Sequence, residues 1–384
     1  SPPPPPPHRS HPLRATHCTM RRHLLFVLPF LAAFQAIPDA APHPSSPAGR
    51  WLLVDARPAT DTNDTSAFAT LREAAVRVRP GDVIWIAPGS GPYREELFIR
   101  TSGTADAPIT IEGNGNEITG FTPLVFHPAT NATTTGHRVA DVTVPYPFVL
   151  RHRGRRIPED AATRRFASSV VWDATQRTLT LTDPATNDQD WEISARAFAV
   201  RIQDASHHRY RNIVASGSLN DGFNLHGAGQ NLVFENITGC DNLDEGFSAH
   251  DDIRCEIREG RFYGNDNGIY NIRKSVMRIR NVDIFQNLGM GLALREASVE
   301  ADDIRVWSSG MRQLHIEQDG VLRGRRIAIY RIAHTSRLWL TYKESAGFGA
   351  IATLGGQARA PAHSALSGAD IICAPEPSPF APKP

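Results

Sequence analysis

The chain has 384 residues, of which 41% are hydrophobic and 21% charged, so it is long enough to bury a large core. Its 41 basic and 40 acidic residues leave a formal net charge of +1. This balance excludes a strongly basic chain and gives no indication of binding to nucleic acids or anionic membranes, and we expect neither as a partner.

The first 50 residues indicate targeting rather than a folded domain. Residues 1–19 are proline-rich, lack a hydrophobic pattern and indicate a leader that is foreign to the native product. After Met20, a basic segment over 21–23 precedes an apolar run over 24–33, and small residues follow. This order predicts a signal peptide over 20–41, a Pro/Ser linker over 42–50, and a secreted or periplasmic protein. The apolar run is too short to span a bilayer permanently.

The folded part begins with a cap and the first coils, over residues 51–120. Residues 66–76 have helical spacing, and Ser66 is placed to cap the helix. A turn over 80–82 leads into the strand 83–86, and further strands follow at 97–99 and 108–111. A stack of coils exposes an apolar end, so we expect this short helix to cover it.

Residues 121–200 interrupt this pattern. Alternating segments at 139–144, 148–158, 170–173 and 178–182 predict antiparallel strands joined by turns. We interpret the region as a small antiparallel β insertion. Its four arginines are expected either to contact an anionic glycan or to form a solvated hairpin face; they are Arg151, Arg153, Arg155 and Arg156.

A repeat then begins, marked by Gly222, Gly246, Gly268 and Gly291 at steps of 24, 22 and 23 residues. Each unit alternates apolar and polar residues with the period of a strand, and Gly, Asn and Asp occupy the turns. The Leu and Asn pattern of leucine-rich repeats is missing. We therefore predict an all-β fold, a right-handed parallel β-helix with about three short strands per coil and its main coils over 201–345. Further coils begin at 276 and 299, two degenerate rungs lie at 313–317 and 337–340, and residues 346–384 form a C-terminal segment with a Pro-rich tail.

The start of the fold resembles a known family. Residues 79–99 (RPGDVIWIAPGSGPYREELFI) and 103–120 (GTADAPITIEGNGNEITG) are similar to the opening of secreted bacterial β-helix proteins of the pectate-lyase-like superfamily. Within it, these residues resemble the chondroitinase B and alginate lyase group. The resemblance covers roughly residues 50–120 and 200–345, and it implies the β-helix fold and a polysaccharide substrate.

Polar residues of the repeat are expected to share one outward face. Outward residues of successive coils stack about 4.8 Å apart, so acids, imidazoles and cations gather along several coils and suit an extended polymer. The strands contribute Asn224, His226, Ser248, His250, Tyr270, Ala293, Arg295, His315 and Glu317, and the turns contribute Asp221, Asp244, Glu245, Asp251, Asp252, Asp266, Asn267, Arg273 and Lys274.

This mixture suits β-elimination on a uronic-acid polysaccharide. A calcium ion or an Arg or Lys side chain must neutralise the carboxylate beside the weakly acidic C5 proton. A base then removes that proton, and an acid protonates the leaving glycosidic oxygen. We expect an anionic polysaccharide as substrate and a monomeric protein.

The resemblance implies roles for individual residues. In the chondroitinase B and alginate lyase group, acidic calcium ligands precede a basic residue on one coil, and an arginine follows on the next. Here Glu245 precedes His250, and Arg273 lies on the next coil. The chain departs from the family because the family's base is lysine and its paired acids are two residues apart. The AHDD string at 249–252 is also similar to the Asp-Pro-His-Asp motif of mannuronan C5-epimerases.

These observations give a set of candidate residues. We predict His250 as the base and Arg273 as the cation, with Lys274 and Arg295 as alternatives. The predicted substrate-binding residues are His226, which is also able to share the base role, Asn224, Tyr270 and His315. Asp221, Asp244 and Glu245 are candidate calcium ligands, since hard cations take carboxylate oxygens.

Two other functions stay open from the sequence. A hydrolase would use clustered carboxylates as acid and base, drawn from Asp244, Asp251, Asp252 and Asp266, although the family strings Asn-Thr-Asp and Gly-Asp-Asp are absent. A non-catalytic glycan-binding β-helix is the third possibility, since a fold does not imply catalysis. The cysteines after Cys18 are odd in number and lack zinc spacing; they are Cys240, Cys255 and Cys373. One disulfide is compatible with an oxidising compartment, and buried free thiols are the alternative that we expect.

Overall fold

The computed structural model describes residues 49–57, 67–129, 136–160, 165–166 and 169–330, and the strands at 365–367 and 371–374. The expected leader, signal peptide and most of the linker lie outside the described residues. So do Ser66, the rung expected at 337–340 and the Pro-rich tail beyond residue 374. In the described part of the chain, no helix is long and apolar enough to cross a membrane.

The N-terminal part contains one short helix and five strands. The helix is shorter than expected because Phe68 pairs with the first strand, which keeps the preceding backbone extended. Thr70 is the N-cap: its hydroxyl accepts from the Glu73 amide at 3.2 Å, and the Glu73 carboxylate accepts from the Thr70 amide at 3.1 Å. The elements are β1 (Trp51–Val54), α1 (Leu71–Ala75), β2 (Val83–Ile86), β3 (Leu97–Phe98), β4 (Ile109–Glu112) and β5 (Glu117–Thr119).

The expected antiparallel insertion is confirmed. Its strands form two antiparallel sheets around a separate apolar core that includes Phe148, Leu179 and Trp191. Five of its strands, β6, β7, β11, β12 and β15, were not predicted, and of these β15 pairs with both β6 and β9. The strands are β6 (Phe121–Pro123), β7 (His127–Pro128), β8 (Arg138–Asp141), β9 (Leu150–His152), β10 (Arg155–Ile157), β11 (Glu159–Asp160), β12 (Arg165–Phe166), β13 (Val170–Asp173), β14 (Thr178–Leu181) and β15 (Trp191–Ser194).

The remaining strands continue the repeat. About three short strands per coil were expected. From β20 onward each coil instead contains one short strand and one long strand. The strands are β16 (Val200–Gln203), β17 (His208–Arg211), β18 (Val214–Ser216), β19 (Phe223–His226), β20 (Ala228–Cys240), β21 (Glu245–Ala249), β22 (Asp252–Tyr263), β23 (Asn267–Ile272), β24 (Val276–Phe285), β25 (Met290–Arg295), β26 (Ser298–Trp307), β27 (Arg312–Glu317), β28 (Val321–Tyr330), β29 (Ala365–Ser367) and β30 (Ile371–Ala374).

Two parallel sheets run along the stack. The short-strand sheet has the order β3-β16-β19-β21-β23-β25-β27, and a thirteen-stranded sheet, which we call the long-strand sheet, contains β20, β22, β24, β26 and β28. Every pair within the short-strand sheet is parallel and in register, as in the pairing of Phe223 with Phe247. The predicted fold class is confirmed: the protein is an almost entirely β parallel solenoid of about ten turns.

The interior explains the marker glycines. Phe223, Phe247 and Leu292 point inward and are fully buried. At the turn before each short strand, buried asparagine amides join successive coils; Asn242, for example, bonds to Asn265 at 2.9 Å. A Cβ on Gly246 would lie 2.7 Å from the Asn265 amide nitrogen. At Gly222, Gly246 and Gly268 the asparagine ladder therefore occupies space that a side chain would need, whereas at Gly291 a core valine and a backbone carbonyl do so.

The described cysteines are structural. Cys240 and Cys255 are buried and free, which agrees with the expectation of unpaired thiols. Burial raises the pKa of both thiols, so neither is primed as a nucleophile.

Candidate functional site

The candidate residues lie on the outward face of the short-strand sheet, in three rows that cross the strands. One row carries Asp221 and Glu245 at or just before the start of their strands. A middle row joins Arg201, Asn224 and Ser248, and continues to Tyr270, Ala293 and His315. The third row lies at the ends of the strands and contains, in order, His226, His250, Ile272, Arg295 and Glu317, so that one strand separates Arg295 from His250.

Three carboxylates meet at the first row. Asp221, Asp244 and Glu245, which we call the acid triad, have carboxylate oxygens that all lie within 4.8 Å of one another. The Asn224 amide donates to Asp221 at 2.6 Å, and the Asn267 amide donates to Glu245 at 3.0 Å. The triad thus has the all-oxygen donor set that a hard cation prefers, and it could hold a metal.

Burial dominates the electrostatics of the acid triad. It raises the pKa of Asp221 to about 6 and that of Glu245 well above its usual range. The charges of Asp221 and Asp244 raise the pKa of Glu245 further. Three such groups at close range hold protons more tightly than ordinary carboxyls, or they require a cation.

Two imidazoles stack in the third row. The rings of His226 and His250, which we call the histidine pair, have centroids 4.0 Å apart and planes 14° apart. The Ser248 hydroxyl is hydrogen-bonded to Nε2 of His250. Burial, then the neighbouring His226 and the arginines, lower the pKa of His250 to about 4, and burial also lowers that of His226. His250 is therefore neutral at pH 7 and has a lone pair to accept a proton.

The three predicted cations differ in whether they form an ion pair with a carboxylate. Arg273 donates to Asp251 at 2.7 Å, and the same carboxylate lies 3.5 Å from Nδ1 of His226. Lys274 is exposed beside Arg273. Arg295 is half-buried in the row of His250, and within the described residues no ion pair joins it to a carboxylate. Arg295 is thus the less neutralised of the two arginines.

Three of the four predicted substrate-binding residues are buried. Tyr270 is 7% exposed, and its hydroxyl donates to Glu317 at 3.1 Å. His315 is fully buried, with Nε2 3.5 Å from the other Glu317 oxygen. Asn224 is buried as well and binds Asp221. Of the four residues predicted to bind substrate, only His226 retains a substantially exposed side chain.

The acid triad and the histidine pair lie at opposite ends of the same strands. Glu245 and His250 are five residues apart across β21, which corresponds to about 16 Å at the rise of a strand. The carboxylates expected for a hydrolase divide in the same way. Asp244 and Asp266 precede their strands, whereas Asp251 and Asp252 follow β21. The face therefore contains two chemically different centres.

The insertion arginines serve mainly as tethers. Arg151 is 2.6 Å from both Glu117 and Glu192, and Arg156 donates to the carbonyl of Asn242 at 2.9 Å. Arg153 and Arg155 remain exposed. Two of the four arginines in this cluster thus fix the insertion to the solenoid.

Sequence reasoning missed Arg201, which lies one coil before Asn224 in the middle row. It precedes the first marker glycine, so the repeat gave no signal for it. The bond from Ser248 to His250 was also missed, although residues two apart on a strand share a face.

No protein-family model matches the chain, and no curated protein matches it. Solved structures with similarity include pectate lyase Pel9A, with 14% identity, a TM-score of 0.47 and coverage of 74% of this chain and 64% of that one. A glycoside hydrolase has 12% identity, a TM-score of 0.46 and coverage of 75% and 89%, respectively. An alginate lyase from Paenibacillus sp. str. FPU-7 has 13% identity, a TM-score of 0.34 and coverage of 85% and 96%. The chain thus spans less than two thirds of the pectate lyase, and similarity at this level transfers no activity, substrate or metal.

Proposed function

We propose that the protein is a polysaccharide lyase that cleaves uronic-acid-containing glycans by β-elimination. The observation that carries this proposal is the neutral, stacked histidine pair at the rim of the short-strand sheet, with Arg273 and Arg295 beside it. A neutral imidazole next to uncompensated guanidinium charge is suited to remove a proton adjacent to a carboxylate.

His250 is the base in this proposal. When its Nε2–H donates to Ser248, Nδ1 has the lone pair that takes the C5 proton of the sugar. The electrons of that C–H bond form the C4–C5 double bond, and the glycosidic C4–O bond breaks. The imidazolium then returns its proton to the leaving oxygen, which regenerates the neutral base and balances the step.

Arg295 is the cation that faces the substrate carboxylate. Arg273 is 59% exposed and paired with Asp251, so its charge is already partly neutralised. Arg295 has no such partner among the described residues, and its charge contributes to the lowered pKa of His250. A bound carboxylate between them would offset that charge and bring the pKa of His250 closer to neutrality, which strengthens the base.

A calcium ion would be held by Asp221, Asp244 and Glu245. Their oxygen donors fit such an ion, which would supply positive charge to the coils where it binds. Because this position is about 16 Å along the strand from His250, the arginines rather than the ion would neutralise the reacting carboxylate.

Ultraviolet absorbance of the unsaturated product tests the proposal. Purified protein is incubated with alginate, pectate and chondroitin polymers, and we expect an increase in absorbance with at least one of them. His250→Ala should abolish the increase, whereas His127→Ala, which alters an exposed histidine of the insertion, should leave it unchanged. Because the pKa of His250 in the free protein is about 4, activity should increase as pH rises to about 4 and should not change further with the protonation of His250 above that pH. A His250→Ala variant as active as the wild type would contradict the assignment.

A hydrolase is the second candidate, because carboxyls with raised pKa values can donate protons at neutral pH. The acid triad provides them, with Asp221 at a pKa of about 6. New reducing ends without ultraviolet absorbance would favour this function, and Glu245→Gln would then abolish activity. If the protein binds these polymers but forms neither an unsaturated product nor new reducing ends, it is a non-catalytic glycan-binding protein.

A further inference from the structure

A second polar surface lies on the same face of the short-strand sheet, one strand away from the histidine pair. It is a cleft of about 810 Å³ between α1 and the root of the insertion, around β3 and β16. We call it the arginine cleft, after the side chains that line it: Arg72, Arg94, Arg100, Arg196 and Arg201, with Phe98 between two of them.

The positive charge of this cleft is only partly neutralised. Arg94 pairs with Glu192 at 2.7 Å, but Arg196 donates only to the carbonyls of Gly120 and Phe121. Within the described residues, Arg100 and Arg196 have no carboxylate partner. The cleft therefore has an excess of guanidinium donors that face solvent.

The two acids of the cleft do little to offset that excess. Both carboxylate oxygens of Glu95 accept from the first amides of α1, Leu71 and Arg72, at 2.9 and 3.1 Å. Burial raises the pKa of the Glu96 carboxyl, and Arg201, the one cation paired with it among the described residues, is 3.9 Å away. Among the described residues neither acid forms an ion pair with Arg100 or Arg196, although the charge of Glu95 partly offsets that of Arg196.

The guanidinium groups are held in place and crowded. Arg100 and Arg201 lie over the ring of Phe98, with their central carbons 4.8 and 4.7 Å from its centroid. Burial and the charge of Arg94 lower the pKa of Arg196. Like charges brought together in this way raise the free energy of the empty cleft, and an anion would relieve it.

The position of the cleft connects it to the proposed reaction. Phe98 and Arg201 begin the same row as Asn224 and Ser248, and the charge of Arg201 acts on His226 one strand further on. A polymer laid across the strands would reach from this cleft to the histidine pair, since the strands are about 4.8 Å apart.

We propose that the arginine cleft is a subsite for an acidic sugar unit, one that carries a carboxylate or a sulfate, on the chain being cleaved. Planar guanidinium groups bind both anions with paired hydrogen bonds. This inference deepens the proposed function and rests on it for the identity of the polymer. It adds that the enzyme requires a second negative charge at a distance from the bond that breaks.

Direct binding tests the subsite independently of catalysis. The full chain, in wild-type and His250→Ala forms, is titrated calorimetrically with a uronate oligosaccharide, a sulfated one and a neutral one of equal length. We expect the neutral sugar to bind at least about tenfold more weakly than an acidic one, and binding to weaken as salt rises. Uronate preference identifies a carboxylate in the cleft and sulfate preference a sulfate.

Arginine variants test whether the acidic sugar binds in the arginine cleft. Arg100→Gln alters an exposed side chain, and Arg196→Gln provides a second, independent test; each should weaken acidic-sugar binding by about tenfold. Arg278→Gln, on the long-strand sheet and paired with Glu300, should bind as the wild type does. Thermal unfolding verifies that each variant is folded.

The outcomes separate the two proposals. Cleft-dependent binding without ultraviolet product would refute the lyase and keep the subsite. Elimination that is unaffected by Arg100→Gln and Arg196→Gln, with unchanged affinity, would refute the subsite and keep the lyase. Equal binding of the neutral sugar, or of an oligonucleotide matched in charge, would also overturn an acidic-sugar subsite.

Discussion

Replacing Asp221 by asparagine provides a quantitative test of the acid triad. Asp221 is 2% exposed, and its pKa is about 6 in the folded protein against an ordinary value of 3.8. A shift of about two pH units corresponds to about 3 kcal/mol. Because the folded-state pKa lies above the unfolded one, stability is complete below about pH 4, decreases as pH rises through 6, and is then lower by that amount.

Asp221→Asn removes this ionisation. In the absence of divalent cations we expect the variant to exceed the wild type in unfolding free energy by about 2 kcal/mol at pH 8. This allows about 1 kcal/mol for disturbing the bond from Asn224. At pH 4 the titration contribution is nearly absent, so the variant should lose its gain and be less stable than the wild type by up to about 1 kcal/mol, the cost of the disturbed bond. Urea unfolding of both proteins between pH 4 and 8, with chelator, measures the difference and cancels contributions from other titrating groups.

Calcium should make the wild type more stable to unfolding than Asp221→Asn, which is the reverse of the order expected with chelator. An ion held by the acid triad stabilises only the folded wild type, by an amount that grows with its concentration. Asp303→Asn, an exposed aspartate on β26, is the matched control and should change neither curve. The reasoning is refuted if Asp221→Asn is no more stable than the wild type at pH 8 with chelator, or if the difference does not depend on pH.

Three further predictions concern stability and are measured by urea unfolding at pH 7. Asn265→Ala should cost about 2–4 kcal/mol because a backbone amide and a side-chain amide of the preceding turn lose their buried acceptor; a cost near zero would contradict the asparagine ladder. Arg151→Met should cost about 3–5 kcal/mol, since it leaves Glu117 and Glu192 without their shared partner, and an unchanged midpoint would show that the insertion is held otherwise. Gly268→Ala should cost about 1–3 kcal/mol because its Cβ would lie 2.3 Å from a core isoleucine and 2.7 Å from a carbonyl; a neutral effect would refute the steric reason for the marker glycines.

The solenoid could be predicted because its repeat is local and regular. Alternation around Phe223 and Phe247 specifies which side chains point inward, and parallel stacking places equivalent residues in one row. The first residue of the capping helix was harder to predict. Pairing of Phe68 with β1 overrides the helical spacing of the sequence before Thr70, and such long-range pairing is not visible in a local pattern.

The site was predicted less completely, for two physical reasons. Tyr270 and His315 point outward yet are buried, and alternation along a strand reports direction rather than exposure. The contacts of Arg151 join the insertion to a coil 34 residues earlier in the chain. Arg201 became a candidate only once β16 was found beside β19. Such relations depend on how distant segments meet, which the repeat does not encode.

The acid triad and His250 lie at opposite ends of β21, and their separation indicates that they have different functions. The spacing of Glu245 and His250 was available from the sequence, and at the rise of a strand it already implies about 16 Å between their backbones. Since electrostatic attraction at that distance is strongly reduced in water and salt, a cation at the acid triad has little direct influence on a carboxylate beside His250. Under the lyase function that we propose, the neutralising charge for that carboxylate would come from Arg295 or Arg273, and the acid triad would stabilise the coils or hold another unit of the polymer.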